Sequence, residues 1–487
     1  MTDDYKVLRT IERREIRYQA LNHINDILHS MGHDVNEYEL IQEAIKPSAA
    51  AKEAKEIQFE RSIIVTTIRS MGYIALATTT SDVAASIFPG GRIAHSHFKI
   101  SIDIDENATC NITKQSALAG LIRDAKLIVW DEVSMANKRM LEVFDLLLKD
   151  FMNTKVLFGG KVVVLGGDFR QTLPVVRNGN KKDFINESLL CSRIWNELEK
   201  LRLLENMRAK TDPAFCDYLI RIENGQERVN STNKIEFPNS LVIPFTTERE
   251  SLDKLFRETY PNLNLFYSNS LCTDSRVILT TKNDFANEIN DMLIDQFHGK
   301  VRTFIGIDET TELNNQTQFE DLLHSLNPTN MPPYKLSLKE NCPMMLLQNL
   351  NPYEGLCNDT RLTYCDFKTH VISAKITTSD FKNTRIFIPR IPLLSLQDEK
   401  VPVSFKRTQF PVRLCFAMTI NKAQTLDFVG IYLREPVFSH GQLYIALSRA
   451  KCSNCVKLLI RPPTPTTHDD HSTWNIVYDE IIRKAMM

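Results

Sequence analysis

Residues 127–132 read Leu-Ile-Val-Trp-Asp-Glu, and residues 162–171 read Val-Val-Val-Leu-Gly-Gly-Asp-Phe-Arg-Gln. Each stretch opens with four apolar residues, the pattern of a strand buried on both faces of a parallel sheet. Each then turns polar, which puts those polar groups at the carboxyl end of the strand, where open α/β sheets gather their chemistry. Asp131 and Glu132 alone would more often be solvated acids at a strand end. The second stretch changes that balance. Gly166 and Gly167 permit close backbone approach, and the Gln171 amide offers both a donor and an acceptor. Together the two strand ends suit a metal-bound phosphate: Asp131 to hold Mg2+, Glu132 to orient or deprotonate an attacking water, Gln171 to sense a terminal phosphate. Asp168 is an alternative brace for the loop.

Outward from this pair, strand-length apolar runs recur at 73–78, 126–130 and 161–165, with helical stretches at 115–124 and 137–152 between them. That alternation predicts an α/β unit with a parallel sheet from about 61 to 205. Upstream, residues 5–46 carry helical periodicity through Ile16, Ala20, Ile24, Ile27 and Leu28, and 49–60 reads as an exposed helix. A second α/β region begins near Ile235, with strands at 241–243 and 277–280. Residues 300–410 break into Pro-punctuated, strand-like pieces such as 343–347, 371–376 and 385–388. The α/β pattern returns over 412–460, and a loop at 461–470 precedes a short terminal helix.

At 487 residues and 55.9 kDa the chain exceeds a single core, so two or three domains are expected. A net charge of −1 gives no compositional support for a nucleic-acid partner, although local positive grooves outweigh the total. No apolar run is long enough to cross a bilayer and the amino terminus has no signal-peptide core, so an intracellular protein is expected. The ten cysteines are scattered, as reduced thiols would be. Cys452 and Cys455 have metal-ligand spacing but no second pair near them in sequence, and ordinary thiols are expected there. Arg208, in Leu-Leu-Glu-Asn-Met-Arg, and Arg449, in Tyr-Ile-Ala-Leu-Ser-Arg-Ala-Lys, could each reach a transferred phosphoryl group with a guanidinium fork. Taken singly, either arginine is more often a surface or salt-bridge residue.

Residues 72–101, 125–150, 159–177, 201–208, 272–294, 331–362 and 411–460 resemble the Pif1-like helicases, and especially the branch encoded by Helitron-type mobile elements. The motifs that carry the resemblance are 77–85, Pro-Gly-Gly-Arg-Ile-Ala-His-Ser-His-Phe at 89–98, Gly-Asp-Phe-Arg-Gln at 167–171, and Phe-Ser-His-Gly-Gln-Leu at 438–443 leading to Ala-Leu-Ser-Arg at 446–449. The resemblance implies an α/β fold of the P-loop NTPase type, with two RecA-like domains and a small SH3-like β insertion in the second. It implies a helical segment over 1–60, a first RecA-like domain over 61–230, a second over 231–300 and 411–487, and the insertion over 301–410. It further implies ATP- and Mg2+-dependent 5′-to-3′ unwinding of DNA in repair, recombination and telomere maintenance, in the nucleus. ATP would meet Asp131, Glu132, Gln171, Arg208 and Arg449, with Mg2+ at Asp131. Single-stranded and forked DNA would meet Thr78, Thr80, Ser81, His95, Lys422 and Gln424. Phe98 would stack on a base or sit in the core.

The sequence departs from that family's pattern in three places. The family's P-loop should precede the helix at 63–69, yet residues 52–61 read Lys-Glu-Ala-Lys-Glu-Ile-Gln-Phe-Glu-Arg, without a glycine. The Gly-Lys pairs at 160–161 and 299–300 are each followed by Val rather than Ser or Thr. A P-loop needs consecutive backbone amides, a lysine and a hydroxyl for Mg2+, so neither pair qualifies. One missing block between about 47 and 63 accounts for this and for the family's absent adenine-binding glutamine. Residues 421–426, Asn-Lys-Ala-Gln-Thr-Leu, lack the Gly-Gln pair the family places before Thr425, and Asp82 stands where a glycine is usual. Three readings follow: a helicase, a DNA-binding remnant that does not turn over ATP, or a fragment that does not fold stably.

Overall fold

The computed structural model describes residues 57–81, 85, 91–101, 110–176, 179–201, 212–261, 275–310, 323–324, 326–328, 331–351, 354–368, 371–377, 381–395, 404–422, 426–463 and 471–486. They fall into two compact units: the described residues within 57–169, 173–201 and 480–486 form one, and those within 170–172 and 212–479 the other. The helix expected over 5–46 lies outside the described residues, as does most of the one expected over 49–60.

The first unit holds α1 (Ile57–Ser70), β1 (Ala75–Thr79), β2 (Arg92–Ile93), α2 (Ala117–Asp124), β3 (Leu127–Asp131), α3 (Lys138–Met152) and β4 (Val162–Leu165). Its four strands run parallel in the order β2-β1-β3-β4. Alternation along β3 explains the unbroken apolar run. Leu127 and Val129 pack with Val65 and Ile68 of α1, whereas Ile128 and Trp130 pack with Phe144 and Leu148 of α3. With both faces covered, every position must be apolar. Caps fix the helix starts: Ser116 accepts from the Ala119 amide at 3.2 Å and Asn137 from the Arg139 amide at 2.9 Å. Asp145, buried in α3, accepts from Lys149 Nζ and from the Phe158 amide, each at 2.7 Å, and so ties α3 to the turn that feeds β4.

The second unit holds α4 (Pro213–Glu223), α5 (Glu248–Thr259), β5 (Arg276–Thr280) and α6 (Asn283–Gln296). A run of short strands follows: β6 (Arg302–Ile305), β7 (Ile307–Thr310), β8 (Lys335–Leu338), β9 (Pro343–Leu346), β10 (Arg361–Lys368), β11 (Val371–Ile376), β12 (Arg385–Pro389), β13 (Ile391–Leu394), β14 (Phe405–Gln409) and β15 (Val412–Leu414). The chain then returns through β16 (Ala417–Thr419), β17 (Phe428–Leu433), α7 (Gln442–Leu447) and β18 (Val456–Ile460). β16-β5-β17-β18 form a parallel sheet, and the strands between α6 and β16 are antiparallel, in the orders β12-β11-β10-β9-β15, β13-β14-β7 and β6-β8. The sequence-predicted β insertion in an α/β unit is therefore present. One predicted strand is not. Residues 241–243 make only the isolated bridge of Val242 to Leu458, with the Ile243 amide donating to the Leu458 carbonyl and the Leu458 amide to the Leu241 carbonyl, each at 2.8 Å.

Arg407 pins the insertion together. It is fully buried and donates to both Asp308 carboxylate oxygens, at 2.8 and 2.7 Å, and to the carbonyls of Leu323, Leu326 and Pro332. No described helix is long and apolar enough to cross a membrane.

Candidate functional site

In the first unit the loops after β1, β3 and β4 are hydrogen-bonded to one another at the carboxyl edge of the sheet. β3 ends at Asp131, which is fully buried and whose Oδ1 accepts the Glu132 amide at 2.9 Å. Glu132 itself is left-handed, φ 53°, and turns the chain sharply out of the strand. The Val133 amide then donates to the Gly166 carbonyl at 2.8 Å, and the Gly166 amide to the Trp130 carbonyl at 2.9 Å. Ser134, also buried, accepts the Asp168 amide on its Oγ at 3.1 Å. A Cβ on Gly167 would stand 2.8 Å from the Ser134 amide nitrogen. Glycine is required there by proximity, since two backbones meet with no room for a side chain.

The loop after β1 joins the same edge. The Thr80 amide donates to the Asp131 carbonyl at 3.1 Å, and Thr80 Oγ1 accepts the Trp130 indole N–H at 3.0 Å. Ser81 donates its amide to Thr79 Oγ1 at 3.2 Å. Thr79 pairs in register with Asp131, so β1 and β3 end level. Thr80 and Ser81 thus lie on the loop expected to meet DNA, and His95 sits in the short helix Ala94–His97 that follows β2.

One expectation needs correcting, and two other residues are found with partners. Thr78 is fully buried and its hydroxyl donates to the Val129 carbonyl at 2.9 Å, so it serves the sheet and has no face for DNA. Phe98 is a core aromatic: it is fully buried, 4.4 Å from the Phe144 ring and 6.0 Å from the Trp130 ring. Lys422 is already ion-paired, Nζ to Asp359 Oδ1 at 2.8 Å, and any phosphate there competes with that carboxylate.

In the second unit, Arg170 and Gln171 lie against the turn before α7. Gly441 has φ +70°, and a Cβ on it would meet the Arg170 carbonyl oxygen at 2.0 Å and the Gln171 Cα at 3.1 Å. Arg170 also pairs with the buried Glu223 carboxylate at 3.3 Å. Arg449 follows α7 by two residues, half-buried, and its carbonyl accepts the Leu426 amide at 3.0 Å. Arg208, Gln424, Asp82 and residues 47–56 lie outside the described residues. Sequence reading missed Ser134, Gly441 and Glu223. The first had a signal in the Asp-Glu-Val-Ser run, but the other two show only once the chain is folded.

Asp131 and Glu132 fit a magnesium nucleotide in one respect. Mg2+ is commonly held by one or two carboxylates, with waters and substrate phosphates completing its shell. Among the described residues no group of three or more His, Cys, Asp or Glu stands close enough together to hold a metal ion.

Residues 56–233 match the family model of the PIF1-like helicase, and residues 321–367 match that of the DNA helicase Pif1, 2B domain. The ATP-dependent DNA helicase Pif1 of Bdellovibrio bacteriovorus is 26% identical over 389 residues, 78% of this chain and 76% of its own length. The ATP-dependent DNA helicase PIF1 of Danio rerio is 25% identical, over 77% of this chain but 52% of its own length, so the chain spans about half of that relative. A solved structure of two coordinating Pif1 helicases, described for unwinding at forked double-stranded DNA, superposes with a TM-score of 0.60 at 20% identity, over 88% of this chain and 89% of that one.

Proposed function

We propose that this chain is a Pif1-like, ATP- and Mg2+-dependent DNA helicase that moves 5′-to-3′ along single strands and opens forked duplexes. One observation carries the reading: the Asp131–Glu132 turn is locked to the Gly166–Gly167–Asp168 turn at the carboxyl edge of β3 and β4. In that arrangement Asp131 would hold Mg2+, and Glu132, pushed out of the strand by its left-handed turn, would orient the attacking water. Bound Mg2+ would neutralise charge on the phosphates. Gln171 and Arg449, with Arg208, would meet the terminal phosphate. Thr80, Ser81 and His95, with Lys422 and Gln424, would grip the DNA backbone without reading sequence. The resemblance to the Helitron branch supports a nuclear protein of mobile-element descent, with roles in repair, recombination and telomere maintenance.

A second reading is favoured by the sequence before α1. Without glycine-rich backbone amides, lysine and hydroxyl there, the triphosphate loses several charged contacts, and with them most of the transition-state stabilisation. The chain would then be a DNA-binding remnant. Purified full chain, assayed for ATP hydrolysis with and without single-stranded DNA beside a Glu132→Gln variant, separates the two. DNA-stimulated hydrolysis lost in the variant supports the helicase. DNA binding indifferent to ATP, with hydrolysis equal in both proteins, supports the remnant.

A further inference from the structure

Cys452 and Cys455 stand outside the nucleotide and DNA reading. They bound a single 3-10 turn in the second unit, in which the Cys455 amide donates to the Cys452 carbonyl at 3.0 Å. Their Sγ atoms approach to 2.6 Å. The turn between them is anchored from outside. Ser453 donates to Asp212 Oδ2 through its amide at 3.0 Å and its hydroxyl at 2.7 Å, while Asp212 Oδ1 caps α4 by accepting the Phe215 amide at 3.1 Å. These bonds, the Ser453 amide first, hold the Asp212 carboxyl below its usual range. The backbone is thus preset with the two sulfurs facing each other, and both cysteines are partly exposed to a small reagent. Zinc takes four ligands, and among the described residues no third His, Cys, Asp or Glu joins this pair.

We propose that Cys452 and Cys455 are a redox-modification site, closing to a reversible intramolecular disulfide by exchange with a small disulfide such as oxidised glutathione. Burial, together with the adjacent Cys452, pushes the Cys455 thiol up to about 11. One cysteine thiolate of the pair attacks one glutathione sulfur; that S–S bond breaks and a glutathione thiolate leaves. The other cysteine then gives up its proton and attacks the modified sulfur, expelling the second glutathione. Two protein thiols are oxidised, one glutathione disulfide is reduced to two thiols, and the two protons pass to them.

The test uses the purified full chain in glutathione buffers of increasing oxidised fraction, with free thiols trapped by an alkylating reagent and peptides read by mass spectrometry. The peptide carrying both cysteines should lose two hydrogens and both alkylation sites, and recover them in excess reduced glutathione. Cys455→Ser and Cys452→Ser should each instead accumulate glutathione on the cysteine that remains. Alkylation of both cysteines at every oxidised fraction, or a glutathione adduct that persists on the unaltered chain, overturns the proposal.

Discussion

Gly167→Ala tests whether the two catalytic-edge turns are locked as one body. Gly167 has an ordinary φ, so an added methyl acts through space alone. Its Cβ would lie 2.8 Å from the Ser134 amide nitrogen and 3.0 Å from Ser134 Oγ. Restoring normal contact moves the turn by about 0.6 Å, an overpacking cost of about 1–3 kcal/mol. The same shift stretches the 3.1 Å bond from the Asp168 amide to Ser134 Oγ, worth about 1 kcal/mol more. Local opening should therefore become easier by about 2–4 kcal/mol. At tenfold per about 1.4 kcal/mol, amides of residues 130–137 and 165–169 should exchange with deuterium roughly 30- to 700-fold faster. Gly120→Ala is the matched control: the same methyl, in the middle of α2, with nothing within 4 Å. It should stabilise that helix by up to about 1 kcal/mol. Hydrogen exchange at wild-type rates in Gly167→Ala would refute the locked-turn geometry.

Arg407→Ala strands the buried Asp308 carboxylate and three carbonyls, and should destabilise the insertion by about 3–5 kcal/mol. Replacing both partners, as Arg407→Met with Asp308→Leu, should cost far less, which local hydrogen exchange at β7 and β14 will show. His97 is drawn from 6.5 down to about 4 by burial, with Arg92 and Lys99 adding to it. The unfolded chain then takes up a proton between those values that the folded chain refuses. Stability should be full above pH 6.5 and fall by up to about 3 kcal/mol as pH drops towards 4; denaturant titrations of His97→Leu should show a flatter profile. Asp359→Asn should free the Lys422 ammonium and tighten single-stranded DNA binding, with a steeper salt dependence. Unchanged affinity and salt slope would remove Lys422 from the DNA track.

Much of the first unit was legible because burial on both faces writes itself into sequence. The runs at 127–130 and 162–165 are apolar at every position since α1 and α3 cover opposite sides of the sheet. The helices at 117–124 and 138–152 stand where the sequence reading placed helical stretches, at 115–124 and 137–152. What sequence did not carry was the direction of a side chain whose surroundings come from far away. Thr78 looks like a loop hydroxyl until Val129, on the neighbouring strand, accepts it. Lys422 looks like a free cation until Asp359 arrives from 63 residues earlier. Gly167 and Gly441 are glycines for the same kind of reason: what forbids a side chain is another segment's backbone. The insertion was visible as short strands, but the Arg407–Asp308 pair that holds it links positions 99 residues apart.

Strand separation offers the most direct measurement. A fluorescently labelled forked duplex, given to the purified full chain with ATP and Mg2+, should open when its single-stranded arm ends 5′ and stay closed when only a 3′ arm is offered. Glu132→Gln should abolish the opening while still binding the fork. Opening that survives Glu132→Gln, or a 5′-armed fork that stays closed with the unaltered chain, contradicts a motor built on the carboxylates that end β3.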